Sequence, residues 1–461
     1  MNQKPPPKSS FILKTNTSSK AQLSKPLWSS RRLLSLFLAF VLVCSGPIGF
    51  SSTAFATNAT NTTGTTDTNL TTAELTPASD FEYTAKKDGI YITSYKGDST
   101  EIVVPGQIDD IAVVSVLLVN RHFSSLDVGA CTELRTLLCL SNKLTKLDVS
   151  KNVKLKTLTC LSGYTHTPGV FLTAPLPRQE PDPGCLTKLD VSKNTALESL
   201  DCSNNKIGKL DLSKNKKLKK LRCSNNKIKN LKLTKNTKLV ELNCANNRLK
   251  TLKLTKNTKL KRIDCCYNKL SKLNLSKNKA LVELVCGHNK LKTLTLSKNK
   301  KLTGLWCWNN KLTKLTLTKN AKLERLHCNN NKLAKINVSK NTKLWIFDCS
   351  DNKLSKLDVS KNKKLANLMC LNNKLVELNV TKNKKLESLL CSNNKLIQLN
   401  VKKNKKLDYL DCSNNKLTQL DISKNDELEA LYCYNNFIWD TAPLKAWLKK
   451  SWHRGKVMPQ R

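Results

Sequence analysis

The sequence predicts a β solenoid: a stack of flat coils with short parallel strands on both faces, an N-terminal β cap and a C-terminal helical cap. Three observations predict it. Cysteines fall at 139 and 160, and then, from Cys202 to Cys433, every 21 residues without a slip. One unit reads LxxLxCxxNxLxxLxLSKNxx, and a fixed period of this size marks turns that must stack to bury their apolar side. Each unit also divides into two near copies, LxxLxCxxN and LxxLxLSKN, in which Leu-x-(Leu/Cys) alternates at period 2. Neither half has room for a helix, so one strand is expected on each broad face, with a turn at each Asn. At roughly 4.8 Å per turn, twelve regular turns span on the order of 55–60 Å.

Residues 1–56 read as an export signal. A basic stretch ends at Arg31 and Arg32, the apolar run LLSLFLAFVLVC follows, and Ala54-Phe55-Ala56 offers a small-x-small cleavage site. The apolar run is short for a membrane span, and no second one follows, so the mature chain is expected outside the cell with no integral span. Residues 57–79, rich in Thr, Asn and Ala, have little to bury and read as a disordered linker. Residues 80–125 carry short β-like runs, YITSY, EIVVP and IAVVSVLLV, and form the expected β cap. The repeats run over 126–436. An insertion at 161–185 keeps the phase, but Gly163 stands where the turn Asn belongs and its prolines forbid a central strand. Over 437–461 the pattern breaks at Phe437. TAPLKAWLKKSWH then places Leu444, Trp447 and Leu448 on one helical face after Thr441 and an early Pro, a helix suited to cover the last turn.

LxxLxLxxN is the core of the leucine-rich repeat. With LDVSKN and LDCSNNKL, the array resembles the 21-residue repeats of secreted Gram-positive surface proteins of the internalin-type and BspA-like families. The segment DGIYITSYKGDSTEIVVPGQIDDIAVVSV resembles the opening module of the BspA-like group. The resemblance covers roughly residues 80–440. It implies a leucine-rich repeat fold and a non-catalytic surface protein that binds or adheres to a macromolecular partner.

Composition bounds the partner. Lys+Arg is 80 against 34 Asp+Glu, a formal charge of +46 that predicts attraction to polyanions. No nucleophile elbow, phosphate loop or carboxylate pair is present, and the five histidines form no ligand pair at helical spacing, so neither an enzyme nor a cofactor is expected.

Each column of the array has a role to assign. The cysteines Cys202, Cys223, Cys244, Cys265, Cys286, Cys307, Cys328, Cys349, Cys370, Cys391, Cys412 and Cys433 follow Leu by two and point inward. The matching place in the other half-unit holds Leu212, Val338 or Ile422, so these thiols are expected to fill the core. A ladder of parallel side chains offers neither four converging zinc ligands nor disulfide geometry. Cys266 should point outward, Cys131 occupies an Asn position and Cys185 lies in the insertion, which makes these three the candidates for oxidation. Two asparagine columns, Asn205 to Asn436 and Asn194 to Asn425, should satisfy buried turn backbone.

Two surfaces are candidates for binding. A lysine recurs at every turn from Lys193 to Lys424. Lys256, Lys277, Lys298 and Lys319 stand in its middle as expected contacts for an anionic cell wall polymer or sulfated glycan, the alternative reading being a merely solvated face. That side lacks the interleaved aromatics of nucleic-acid binding. On the cysteine strand the exposed positions vary as a binding face should. Tyr267, Val285, Trp306, Trp308, His327 and Met369 are the expected ligand residues for a protein or glycan, with the two indoles projecting into solvent and a shallow gap left at Gly287.

Overall fold

The computed structural model describes residues 74–119, 123–140, 143–161, 186–449 and 453–460. The export signal and the body of the insertion lie outside these residues. Of the linker, only 74–79 is described. It is tied down: Thr76 N–H donates to Val103 O at 3.1 Å and its hydroxyl accepts from Val103 N–H.

The first strands are β1 (Phe81–Lys86) and β2 (Gly89–Tyr95), an antiparallel hairpin. β3 (Glu101–Val103), β4 (Gln107–Ile108) and β5 (Ile111–Val119) follow. β2 pairs in parallel with β5. β6 (Ser125–Asp127) pairs with β3. β5 then pairs in parallel with β7 (Thr136–Leu140), and β7 with β8 (Thr157–Thr159), so the hairpin and the repeats share one sheet. From β9 (Ser199–Asp201) to β20 (Ala430–Tyr432) a three-residue strand recurs every 21 residues, each in register with the next. After β20 come helix α1 (Ala442–Leu448) and β21 (Arg454–Lys456), which extends the sheet beyond β20. Leu444 is buried at that end, and Trp447 and Leu448 pack partly buried beside it.

From Leu186 onward strands form on the cysteine side alone; on the other side β3 and β6 pair only at the start of the array. This corrects the expectation of strands on both faces. On the LSKN side the backbone bonds locally: Asn215 N–H donates to Leu212 O at 3.1 Å and Leu218 N–H to Asn215 O at 3.2 Å, and each turn repeats this. One isolated bridge, Thr316 to Asn337, lies there among the described residues. A residue bonded three places back has no N–H left for a neighbouring turn, so the near copy of the strand sequence folds into tight turns instead.

Between the two sides lies a single apolar core. Every ladder cysteine from Cys202 to Cys433 has 0% exposure, stacked beside leucines that are equally buried. The thiols are free, and burial pushes them up, Cys223 and Cys307 to about 12. They behave as small apolar side chains.

Candidate functional site

The first asparagine column closes its turns completely. In one unit Asn289 Nδ2 donates to Cys265 O, Cys286 O and Gly287 O at 3.0–3.2 Å, while its Oδ1 accepts Leu270 N–H at 2.9 Å. In the second column Asn299 Nδ2 donates to Leu275 O and Asn278 O, but its Oδ1 has no partner. The same buried oxygen is unpaired at every turn from Asn194 to Asn425. The stacked asparagines therefore serve the backbone as expected on one side, and only through their amino groups on the other.

A third amide column was not foreseen. The residue before each first-column Asn sits in the left-handed region, from Asn204 (φ 58°) to Asn435 (φ 54°). Asn and Asp tolerate that region best among residues with side chains. Their amides bridge turns: Asn246 Nδ2 donates to Asn225 Oδ1 at 2.8 Å and Asn435 Nδ2 to Asn414 Oδ1 at 2.8 Å. Two turns carry an aromatic ring in place of the amide, and at one of them the bridge continues, with Asn309 Nδ2 2.7 Å from His288 Nε2. Tyr267 (φ 52°) and His288 (φ 48°) hold the same strained backbone, and their rings stack at 4.1 Å with 12° between planes. The letters CYNK and GHNK in place of SNNK were the signal.

Beside this pair the strand side differs from expectation. Trp306 and Trp308 are buried, at 4% and 3% exposure, and so is Met369 at 5%. The reason is the spacing: a side chain as wide as an indole must lie over its neighbours when turns are about 5 Å apart. A Cβ on Gly287 would come within 2.5 Å of the Trp308 ring, and one on Gly304 within 2.4 Å of Trp306. The gap foreseen at Gly287 is thus filled by Trp308 itself. Trp306 is further covered by His327, stacked at 5.9 Å, and by the Arg325 guanidinium at 5.1 Å. The edge of Trp308 meets His288 at 6.2 Å and 83°. Cys266 is also buried, at 6%, where an outward thiol was expected; its backbone is drawn back onto the strand end, its N–H donating to Asp264 Oδ1 at 3.1 Å. Cys131 is fully buried, with its thiol 3.3 Å from Pro105 O.

Of the expected ligand residues, Tyr267 is exposed, and Val285 and His327 are half-buried. Around them the charges of the strand side pair across turns. Glu241 lies between Arg222 (3.8 Å) and Arg262 (3.0 Å), and Glu283 between Arg262 (3.3 Å) and Arg325 (3.0 Å). Burial lowers His327 to about 4 and raises its neighbour Asp348 to about 6, so both stay neutral near pH 5. Lys256, Lys277, Lys298 and Lys319 are all exposed, as is every member of their column.

A single-sided parallel sheet, buried asparagine columns and turns of 21 residues define a leucine-rich repeat protein. No family model and no curated protein matches the chain. Among solved structures, it is 34% identical to the functional domain of InlJ from Listeria monocytogenes, described as including a cysteine ladder. That likeness covers 67% of this chain and 69% of the other at a TM-score of 0.58. It shares the fold of a Leptospira interrogans leucine-rich repeat protein (21% identity, 74% and 95% covered, TM-score 0.62). It also shares that of YopM from Yersinia enterocolitica (24%, 73% and 66%, 0.54). The chain belongs to the internalin-type leucine-rich repeat proteins.

Proposed function

We propose that this chain is a secreted, surface-associated interaction scaffold that binds a protein partner on its strand side, at the rim marked by Tyr267 and His288. The observation that carries this reading is the break in the left-handed amide column. Aromatic side chains at φ near 50° cost stability that asparagine does not. Strain of this kind at a surface, next to an exposed aromatic ring, is expected where binding rather than folding chose the residues. Val285 and His327, on nearby turns, extend the contact along the strands. The export signal and the likeness to an internalin support an extracellular setting.

Tyr267→Asn with His288→Asn tests it. Both changes restore the residue that most other turns carry, so the fold is expected to hold or gain stability. Purified parent and variant are compared as baits for surface proteins in solution. A partner bound by the parent and lost by the variant is the expected result, and equal binding by both overturns the assignment. A second reading, retention by anionic polymers, rests on a different observation: the twelve exposed lysines from Lys193 to Lys424 make no ion pair among the described residues.

A further inference from the structure

We infer that the lysine side is a binding rail for a flexible, linear phosphate polymer, laid along the array axis, and not for duplex nucleic acid or a folded acidic protein. This rests on the retention reading above and names its ligand class.

Charge is sorted between the two sides. Between residues 225 and 348 the chain has five carboxylates, Glu241, Asp264, Glu283, Glu324 and Asp348. All five fall in or next to the three-residue strands, where Glu241 and Glu283 are held by arginines. The other side of the same six turns has none. There the column through Lys256 runs parallel to a second one through Lys259, three residues on, with members such as Lys238, Lys301 and Lys322, all exposed. The buried Asn column lies between the two rows and fixes the turns that carry them, through Asn257 N–H to Leu254 O and Leu260 N–H to Asn257 O. The ammonium groups thus project from a rigid base; the row through Lys256 offers one roughly every 5 Å, and the second row does so except at Ala280.

That geometry selects its ligand. A row about 55 Å long demands a partner whose charges also run in a line. A duplex returns a given strand to the same side only every ~34 Å, so most of a straight row would face its grooves. A folded protein does not offer a line of acid groups of this length. A flexible chain of phosphates can follow the rows. Lysine suits it, because an ammonium binds phosphate as a point charge without fixed geometry. No aromatic residue stands on the lysine side between 227 and 344, so bases would find nothing there to stack on.

The test uses the full chain with linear inorganic polyphosphate of increasing length, at 50 to 200 mM salt. Affinity is expected to rise with length until the polymer spans about 55 Å and then level off. Replacing Lys256, Lys277, Lys298 and Lys319 by Gln should lower the slope of log K against log salt by about 3, at ~0.7 per contact. An unchanged slope in a folded variant removes these residues from the site. A poly(glycerol phosphate) chain is expected to bind at least as tightly as oligothymidylate of equal charge, and the reverse order would overturn backbone-only contact. Duplex DNA binding as tightly per phosphate as the flexible chains would overturn the inference while leaving retention by polyanions standing. If no polyanion binds at 50 mM salt, the retention reading falls with it.

Discussion

The two halves of each 21-residue unit are near copies in letters and opposites in structure. LxxLxCxxN becomes a strand hydrogen-bonded to its neighbours, while LxxLxLSKN becomes two tight turns bonded to themselves. The strand half is also closed on its outer surface, by stacked rings and an arginine–glutamate row. The lysine half is open, and its buried amides are only half satisfied. Repeating an apolar pattern therefore fixes which residues face the core, but not how the backbone groups between them find partners. Local turn bonds decide that.

The comparison can be broken most forcefully on the strand side. If its indoles are structural, Trp306→Ala with Trp308→Ala should cost about 5 kcal/mol, because two buried rings are removed. Urea unfolding that shows no change would mean these rings are ligand contacts after all. The asparagine columns sharpen it next. Asn289→Ala strands Leu270 N–H in the interior and leaves Cys265 O with Asn268 Nδ2 as its remaining side-chain donor, and should cost about 3 kcal/mol. Asn299→Ala loses two donated bonds but also removes an unpaired oxygen, and should cost about 2 kcal/mol. Equal losses would mean that the second column finds a partner for its oxygen.

A smaller effect comes from pH. The fold holds His327 at about 4, so acidification from 6.5 protonates the unfolded histidine first and weakens the fold. Asp348 at about 6 works in the opposite sense, because it is protonated in the fold before its unfolded value of 3.8 is reached, and this strengthens the fold. The two offset each other between pH 6 and 4. Asp348→Asn should expose the histidine loss, making the variant weaker than the parent by about 2 kcal/mol more at pH 4 than at pH 6.5. A parallel pH profile would show that the pair does not titrate as assigned. The smallest effect belongs to the lysine side. The fourfold lysine-to-glutamine variant should unfold within about 0.5 kcal/mol of the parent, since these heads are solvated.

Period, core columns and the inward cysteines were legible in the sequence, because burial at 21-residue spacing leaves a mark at every turn. The helix after Phe437 was legible too, from Pro443 and the spacing of Leu444, Trp447 and Leu448. The missing second sheet was not, since the same alternation of Leu and x serves a strand or a tight turn. Nor was the burial of Trp306 and Trp308, which depends on the adjacent glycines at 304 and 287 and on stacking between turns. The strained Tyr267–His288 pair stood in plain letters, but only a left-handed column gives those letters meaning.

The in-register sheet also sets how the molecule answers force. A pull on the two ends loads the bonds between one terminal turn and its neighbour, while the tight turns of the other half are linked across mainly through asparagine amino groups, with one isolated bridge and one lysine–aspartate pair among the described residues. The array should therefore peel one turn at a time from an end, at a low and repeated force rather than in a single rupture. Each step releases one unit of 21 residues, or roughly 7 nm of extended chain. An array built this way can lengthen several-fold under load and still keep the turns that remain stacked.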